Sequence, residues 1–286
     1  MKITENWKDE EGKGFVLEND VYKYHGNIFS NEDIEIEMKN KDKEISVTGG
    51  IHSEKNIFCD GNLTAFAIHA KKNIMTQGSV RVKSYIMADK NIYSGWSIIS
   101  AGCIRAGYYM EAKHDIMSEH SIIGMDDIIA DGRIQTQKGI FCYGNLLSVL
   151  DIFANEDIVV HGFITTDSSI HTKGDIKAEK RITAKNDIMG KNIFTYRNLE
   201  AGNDIVVENG LTVGDRILAG KNIIAGGGIV AGTSVICNET LQWSRNLFAG
   251  TSPEKELSKD EKAIQAKYFK GGEIKHGIIN ITSQEG

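Results

Sequence analysis

Aliphatic residues recur every six positions through most of this chain, and that beat limits what it can fold into. It runs from Ile74 through Val80, Ile86, Ile92, Ile98 and Ile104 to Ile176, Ile182 and Ile188, broken in residue type only by Met110. One step then shortens to five, reaching Ile193, and the beat resumes through Leu199, Ile205, Leu211 and Ile217 to Leu247. A period of six matches neither the 3.6-residue face of a helix nor the alternation of a two-faced strand. It matches short strands joined by tight corners, each strand sending one aliphatic side chain into a shared core. That is a parallel β-solenoid.

With the aliphatic residue as position one, position three is mostly small, as at Ala88, Ser94, Ala106, Ala154, Ala184 and Ala219. Positions one and three lie on the same side of a strand, so the large residue fills the interior and the small one fits where the wall turns. Positions five and six hold corner formers, as in Gly174-Asp175, Asn186-Asp187, Asn203-Asp204 and Gly227-Gly228. Such residues accept left-handed backbone angles, and Asn or Asp can also bond a nearby amide. Asn73, Asn91, Asp127 and Asn145 are separated by multiples of eighteen, which predicts three six-residue units per turn. Roughly twelve turns rising about 4.8 Å each would give a rod on the order of 55–60 Å long. Two earlier phase breaks lie at Leu63 to Ile68 and at Ile34 to Ile45. The second holds Lys39-Asn40-Lys41-Asp42-Lys43, expected to bulge from a corner as a solvated loop.

A solenoid must cover its first and last turns, because open strand edges invite pairing. Residues 1–25 read as an N-terminal hairpin cap, in which Phe15-Val16-Leu17 and Val21-Tyr22 flank Glu18-Asn19-Asp20 and Trp7 covers the first turn. Residues 26–250 form the solenoid, and 251–286 a C-terminal cap of helix and strand. Ser252 and Pro253 suit a helix start, Ser258 and Glu261 a capping box, Ala263, Ile264, Lys267 and Tyr268 an apolar stripe, and Gly271-Gly272 a stop. Short strands are expected at Glu273-Ile274 and from Ile278 to Thr282. The fold class is therefore all-β, a single-stranded parallel β-helix with a short C-terminal α-helical cap.

The net charge of −6 arises from scattered residues of both signs, which gives no basic footprint for nucleic acid. No segment reaches the length of a membrane-spanning helix, and the start, Met1-Lys2-Ile3-Thr4-Glu5-Asn6-Trp7, has no apolar run behind a basic patch. A cytoplasmic location is the expectation. Cys59, Cys142 and Cys237 occupy the small inward third position and Cys103 a corner, so buried packing is expected rather than a disulfide framework or metal site.

Position two of each unit should face outward, and there the chain is more apolar than a solvated wall requires. One wall would carry Met87, Arg105, Ile123, Phe141, Val159, Lys177, Phe194, Thr212, Val230 and Phe248; a second would carry Arg81, Ile99, Met117, Gln135, Phe153, His171, Met189, Val206, Ile224 and Gln242. Such ladders predict packing against a second copy or another protein. The contact candidates are Ile123, Phe141, Phe153, Phe194 and Phe248 on the walls and Tyr268 in the C-terminal cap.

No phosphate loop, GxSxG elbow or HExxH occurs, and the carboxylates lie mostly at corners, so no catalytic set, metal site or cofactor is assigned. His114 and His120 share a unit position on successive corners and are the least poor candidates for a base. Adjacent corners of a triangle hold them too far apart for one metal.

The six-residue period and the expected C-terminal helix resemble the hexapeptide-repeat acyltransferases. That resemblance implies a left-handed β-helix, a trimer with a histidine near the subunit boundary, and an acyl donor along the rod. In that family the small residue falls two before the aliphatic one, whereas here it falls two after. The units Ala201-Gly202-Asn203-Asp204-Ile205, Ala219-Gly220-Lys221-Asn222-Ile223 and Ala225-Gly226-Gly227-Gly228-Ile229 are similar to those of bactofilin and FapA-like polymer-forming solenoids. This second resemblance implies a non-catalytic rod that assembles or scaffolds. The leading expectation is a self-associating β-solenoid scaffold acting through protein–protein contact; an acyltransferase-type enzyme and a secreted adhesin fragment are the alternatives.

Overall fold

The computed structural model describes residues 1–40, 43–252 and 256–281 and divides into two compact units, Met1–Gly144 and Asn145–Gly286. Each unit is a parallel β-solenoid built mostly of three-residue strands. In the first, Ile74–Thr76, Ile92–Ser94, Met110–Ala112 and Ile128–Ala130 stack in register, with Ile74 on Ile92, Ile92 on Met110 and Met110 on Ile128. Val80 on Ile98 and Ile98 on Ile116 build a second wall, and Ile86 on Ile104 and Ile104 on Ile122 a third. In the second unit Leu146 stacks on Ile164 and Ile164 on Ile182 with the same eighteen-residue interval. The six-residue beat is thus one third of a turn.

Both five-residue steps are shortened corners. Only Phe66 separates the strands Leu63–Ala65 and Ala67–Ala70, so Ile57 meets Ile74 seventeen residues on. Lys191 and Asn192 alone join Ile188–Gly190 to Ile193–Thr195, and Ile176 meets Ile193 at the same interval. The charged run after Ile34–Ile36 adds residues to its coil, so Ile34 stacks on Ile57 twenty-three residues away. Lys41 and Asp42 within that run lie outside the described residues.

Ile74, Ile92, Ile128, Ile164 and Ile182 are fully buried, each contributing about 2 kcal/mol of apolar burial. Hydroxyls at the inward third position are satisfied by the turn below. Ser94 Oγ donates to the Gly78 carbonyl at 2.7 Å, Ser100 Oγ to Ser84 at 2.8 Å and Ser118 Oγ to Gly102 at 2.6 Å. A buried hydroxyl without such an acceptor would cost stability.

The corners differ from expectation in their backbone. Among the described residues, positive φ occurs only at Gly12, Asn19, Asp20, Gly26, Gly250 and Gly277, none within the regular six-residue coils. Corner polar residues act instead through side-chain ladders. Asn56 Nδ2 donates to Asp33 Oδ1 at 2.8 Å, Asn73 to Asn56 at 2.8 Å and Asn91 to Asn73 at 3.0 Å. Asn222 Nδ2 likewise donates to Asp204 Oδ1 at 2.9 Å in the second unit. Glycine is needed at Gly95 for close approach, because a Cβ there would lie 2.1 Å from the Gln77 carbonyl oxygen one turn below.

The N-terminal hairpin forms as the sequence predicts. Val16–Glu18 pairs antiparallel with Val21–Tyr24 across Asn19 and Asp20, whose φ values are 49° and 66°. Trp7 packs on Tyr24 with centroids 5.3 Å apart, and Phe15 on Tyr24 at 5.5 Å. The Tyr24 hydroxyl donates to Asp9 Oδ2 at 2.7 Å.

The C-terminal α-helix is absent among the described residues, and Pro253 falls outside them. The capping box does form: the Ser258 amide donates to Glu261 Oε2 at 2.9 Å and the Glu261 amide to Ser258 Oγ at 3.3 Å. It introduces only the 3-10 turn Asp260–Lys262. Ala263–Ala266 then lies as a strand on Val235–Cys237, with Ile264 opposite Val235 and fully buried. The open sheet edge offers more hydrogen bonds and apolar burial than a free-standing short helix, so tertiary pairing overrides the local signal. Gly271 and Gly272 sit inside the strand Tyr268–His276, which runs along Thr240–Phe248. Ile278–Ile281 closes the last coil on Ala263–Ala266; Thr282 lies outside the described residues. Among the described residues no helix is long and apolar enough to cross a membrane.

Candidate functional site

Two sequence-predicted residues come together in the first unit. The strands Ile122–Gly124 and Ile140–Cys142 place Ile123 directly opposite Phe141, both facing outward. Two residues further along each strand the chain turns, and the Tyr143 amide donates to the Gly124 carbonyl at 3.0 Å. That register puts Met125 and Tyr143 beside the first pair, giving a block of four apolar side chains on two neighbouring coils. Phe141 is 40% exposed, Met125 40% and Tyr143 56%. One turn below, Arg105 lies opposite Ile123, and Tyr108 at the same corner is 54% exposed.

The other candidates are distributed. In the second unit Phe153 lies opposite His171, on a wall different from that of Phe194. Phe194, Thr212, Val230 and Phe248 form one ladder, in that order. Tyr196 packs edge-on against Phe194 at 4.8 Å, beside a small groove of about 180 Å³ lined by Val159, His161, Lys177 and Glu179. Phe248 is half-buried and lies opposite His276 of the last coil. Tyr268 is 59% exposed, with the Lys267 ammonium 5.2 Å from its ring.

Sequence reasoning missed Met125, Tyr143 and Tyr108, because only position two of each unit was read as outward. Positions four and five also point outward at the corners, and extending the same eighteen-residue count to them finds all three. It also left out the third wall, where Phe58, Met75 and Tyr93 stack in register over a groove of about 410 Å³ rimmed by Glu35, Glu37 and Asp60.

The histidine candidates stay apart. His114 follows Met110–Ala112, and His120 follows Ile116–Ser118 at the next corner. His114 stacks on Trp96 at 4.8 Å and 9°. Its Nδ1 lies 3.4 Å from Ser97 Oγ and 3.1 Å from Asp115 Oδ2. Both contacts fall on the same ring nitrogen. A relay needs one nitrogen for the nucleophile and the other for the orienting carboxylate, so this trio is not arranged as a triad. Among the described residues no group of three His, Cys, Asp or Glu side chains could hold a metal ion.

The cysteines fall where their unit positions place them: Cys59, Cys142 and Cys237 are buried and Cys103 is exposed. Burial pushes the Cys59 and Cys142 thiols up to about 12 and that of Cys237 to about 11. Such thiols are packing groups rather than nucleophiles.

The fold defines the protein as a parallel β-solenoid with an eighteen-residue coil. No protein-family model, curated protein or solved structure matches the chain. The bactofilin-like and hexapeptide resemblances are therefore carried by the repeat pattern alone.

Proposed function

We propose that this β-solenoid is a non-catalytic scaffold that works through protein–protein contact, including association with its own copies. The observation that carries this reading is the in-register block of Ile123, Phe141, Met125 and Tyr143. Scattered outward apolar residues are ordinary, but a contiguous exposed block on a rigid wall is a surface suited to a partner. Aromatic and Met side chains are also the types enriched at the centres of interfaces, and Arg105 supplies a polar rim. The mechanism is presentation of a fixed surface on stacked coils, which needs no ordering on binding.

The test is sedimentation velocity over a wide concentration range, comparing the native chain with the Phe141→Asp/Tyr143→Asp double variant. The native chain is expected to associate as concentration rises, with the double variant requiring at least about tenfold more protein. Both side chains are exposed, so the thermal midpoint should move little. Identical sedimentation of the two chains would remove the block from self-association and leave a foreign protein as its only partner.

A further inference from the structure

In the last coil of the second unit, among the described residues, no further strand is stacked on Tyr268–His276 or Ile278–Ile281. Phe269 lies opposite Leu241, Ile274 opposite Leu247 and Ile279 opposite Ile264, so all three occupy inward core positions. Their partners Leu241, Leu247 and Ile264 are fully buried, whereas Ile279 is 48% exposed and Phe269 and Ile274 are half-buried. Among the described residues, Tyr268–His276 pairs with Thr240–Phe248 alone and Ile278–Ile281 with Ala263–Ala266 alone. One edge of each strand is therefore unpaired, above an apolar floor.

The spacing of that floor is symmetric. Phe269, Ile274 and Ile279 fall five residues apart, with Ile274 central. An antiparallel strand laid over this edge by a two-fold axis through Ile274 brings Ile274 onto its own copy and Phe269 onto the copy's Ile279. At these three positions inward residues then meet inward residues. The same axis sets Glu273 opposite Lys275 of the other copy, twice. These two side chains are exposed and already share a face, their charged atoms 2.5 Å apart within one chain. An isologous interface must be self-complementary, and this edge is so in the spacing of Phe269, Ile274 and Ile279 and in the charges of Glu273 and Lys275.

We infer that the last coil is a dimerisation surface on which a second copy of this chain adds antiparallel strands around a two-fold axis at Ile274. The occupant is a second copy because the floor spacing and the Glu273–Lys275 pair match their own inverse. The inference goes beyond the wall contact proposed above and does not use its residues.

The experiment combines light scattering with hydrogen exchange on the full chain. A dimer is expected whose Tyr268–His276 amides exchange more slowly as concentration rises. Lys275→Glu sets two carboxylates against each other at each pair and should raise the dimer dissociation constant at least tenfold. The swap Glu273→Lys/Lys275→Glu should restore it, which separates charge pairing from misfolding. A monomer at every concentration, or a dimer indifferent to Lys275→Glu, overturns the proposal. The Phe141→Asp/Tyr143→Asp variant should keep this dimer. If that variant breaks it while Lys275→Glu does not, the end surface is refuted and the wall reading stands.

Discussion

At the N-terminal end, Tyr24 points inward and is 3% exposed, with Trp7 and Phe15 packed against its ring. At the C-terminal end, Ile279 holds an equivalent inward position with its side chain half open to solvent. The first coil thus receives its roof from the chain's own first residues, with a paired hydroxyl where Tyr24 meets Asp9. On the last coil, among the described residues, no further strand is stacked. A repeat unit cannot bury its own end, so closure comes from an atypical terminal segment or from another molecule. The contrast sets intramolecular packing at one end against the intermolecular pairing proposed for the other.

The sharpest way to break this comparison is to truncate the apolar residue at each end. Tyr24→Ala should cost about 3 kcal/mol in denaturant unfolding, since it empties a buried site beneath Trp7 and Phe15. Ile279→Ala should cost less than about 1 kcal/mol at low protein concentration, because half of the side chain is already in water. Its cost should grow with concentration if a second copy covers it. Equal losses at both ends, independent of concentration, would erase the distinction.

A smaller effect sharpens it. Tyr24→Phe keeps the ring packing and removes the bond to Asp9, for a loss of about 1 kcal/mol. It should also flatten the pH dependence of the N-terminal coil. Burial first, and then the Asp9 bond, pushes the Tyr24 hydroxyl up to about 12 from 10.0. Its contribution is complete below pH 10 and is lost as pH rises toward 12. The Tyr24 bond chiefly holds the Asp9 carboxyl below its ordinary 3.8, so that contribution is present above 3.8 and lost as pH falls through the folded value. Trp7 fluorescence should therefore report loosening at both extremes in the native chain and much less in the Tyr24→Phe variant. A native chain flat at both extremes would show that the bond does not hold the cap.

Most of the coil was legible because burial and spacing coincide. Each strand has one dominant inward aliphatic residue, so a six-residue count recovers strands, walls and the shortened corners at Phe66 and at Lys191-Asn192. The same count placed Ile123 opposite Phe141. It missed Met125 and Tyr143 because a corner residue's direction depends on how the chain turns, not on strand alternation. The C-terminal helix failed for a different reason. Ser258 and Glu261 exchange the bonds of a capping box, but Ile264 had a fully buried place on Val235 available to it.

The sequence by itself determined the solenoid, its eighteen-residue coil and the N-terminal hairpin, because local spacing and turn chemistry carry those features. The tertiary structure alone decided that corners stack through Asn and Asp side chains, that residues 263–266 are strand, and that among the described residues no strand is stacked on the last coil. Those outcomes depend on what lies one turn away, and a residue's neighbour across a coil is visible only once the coils have been stacked.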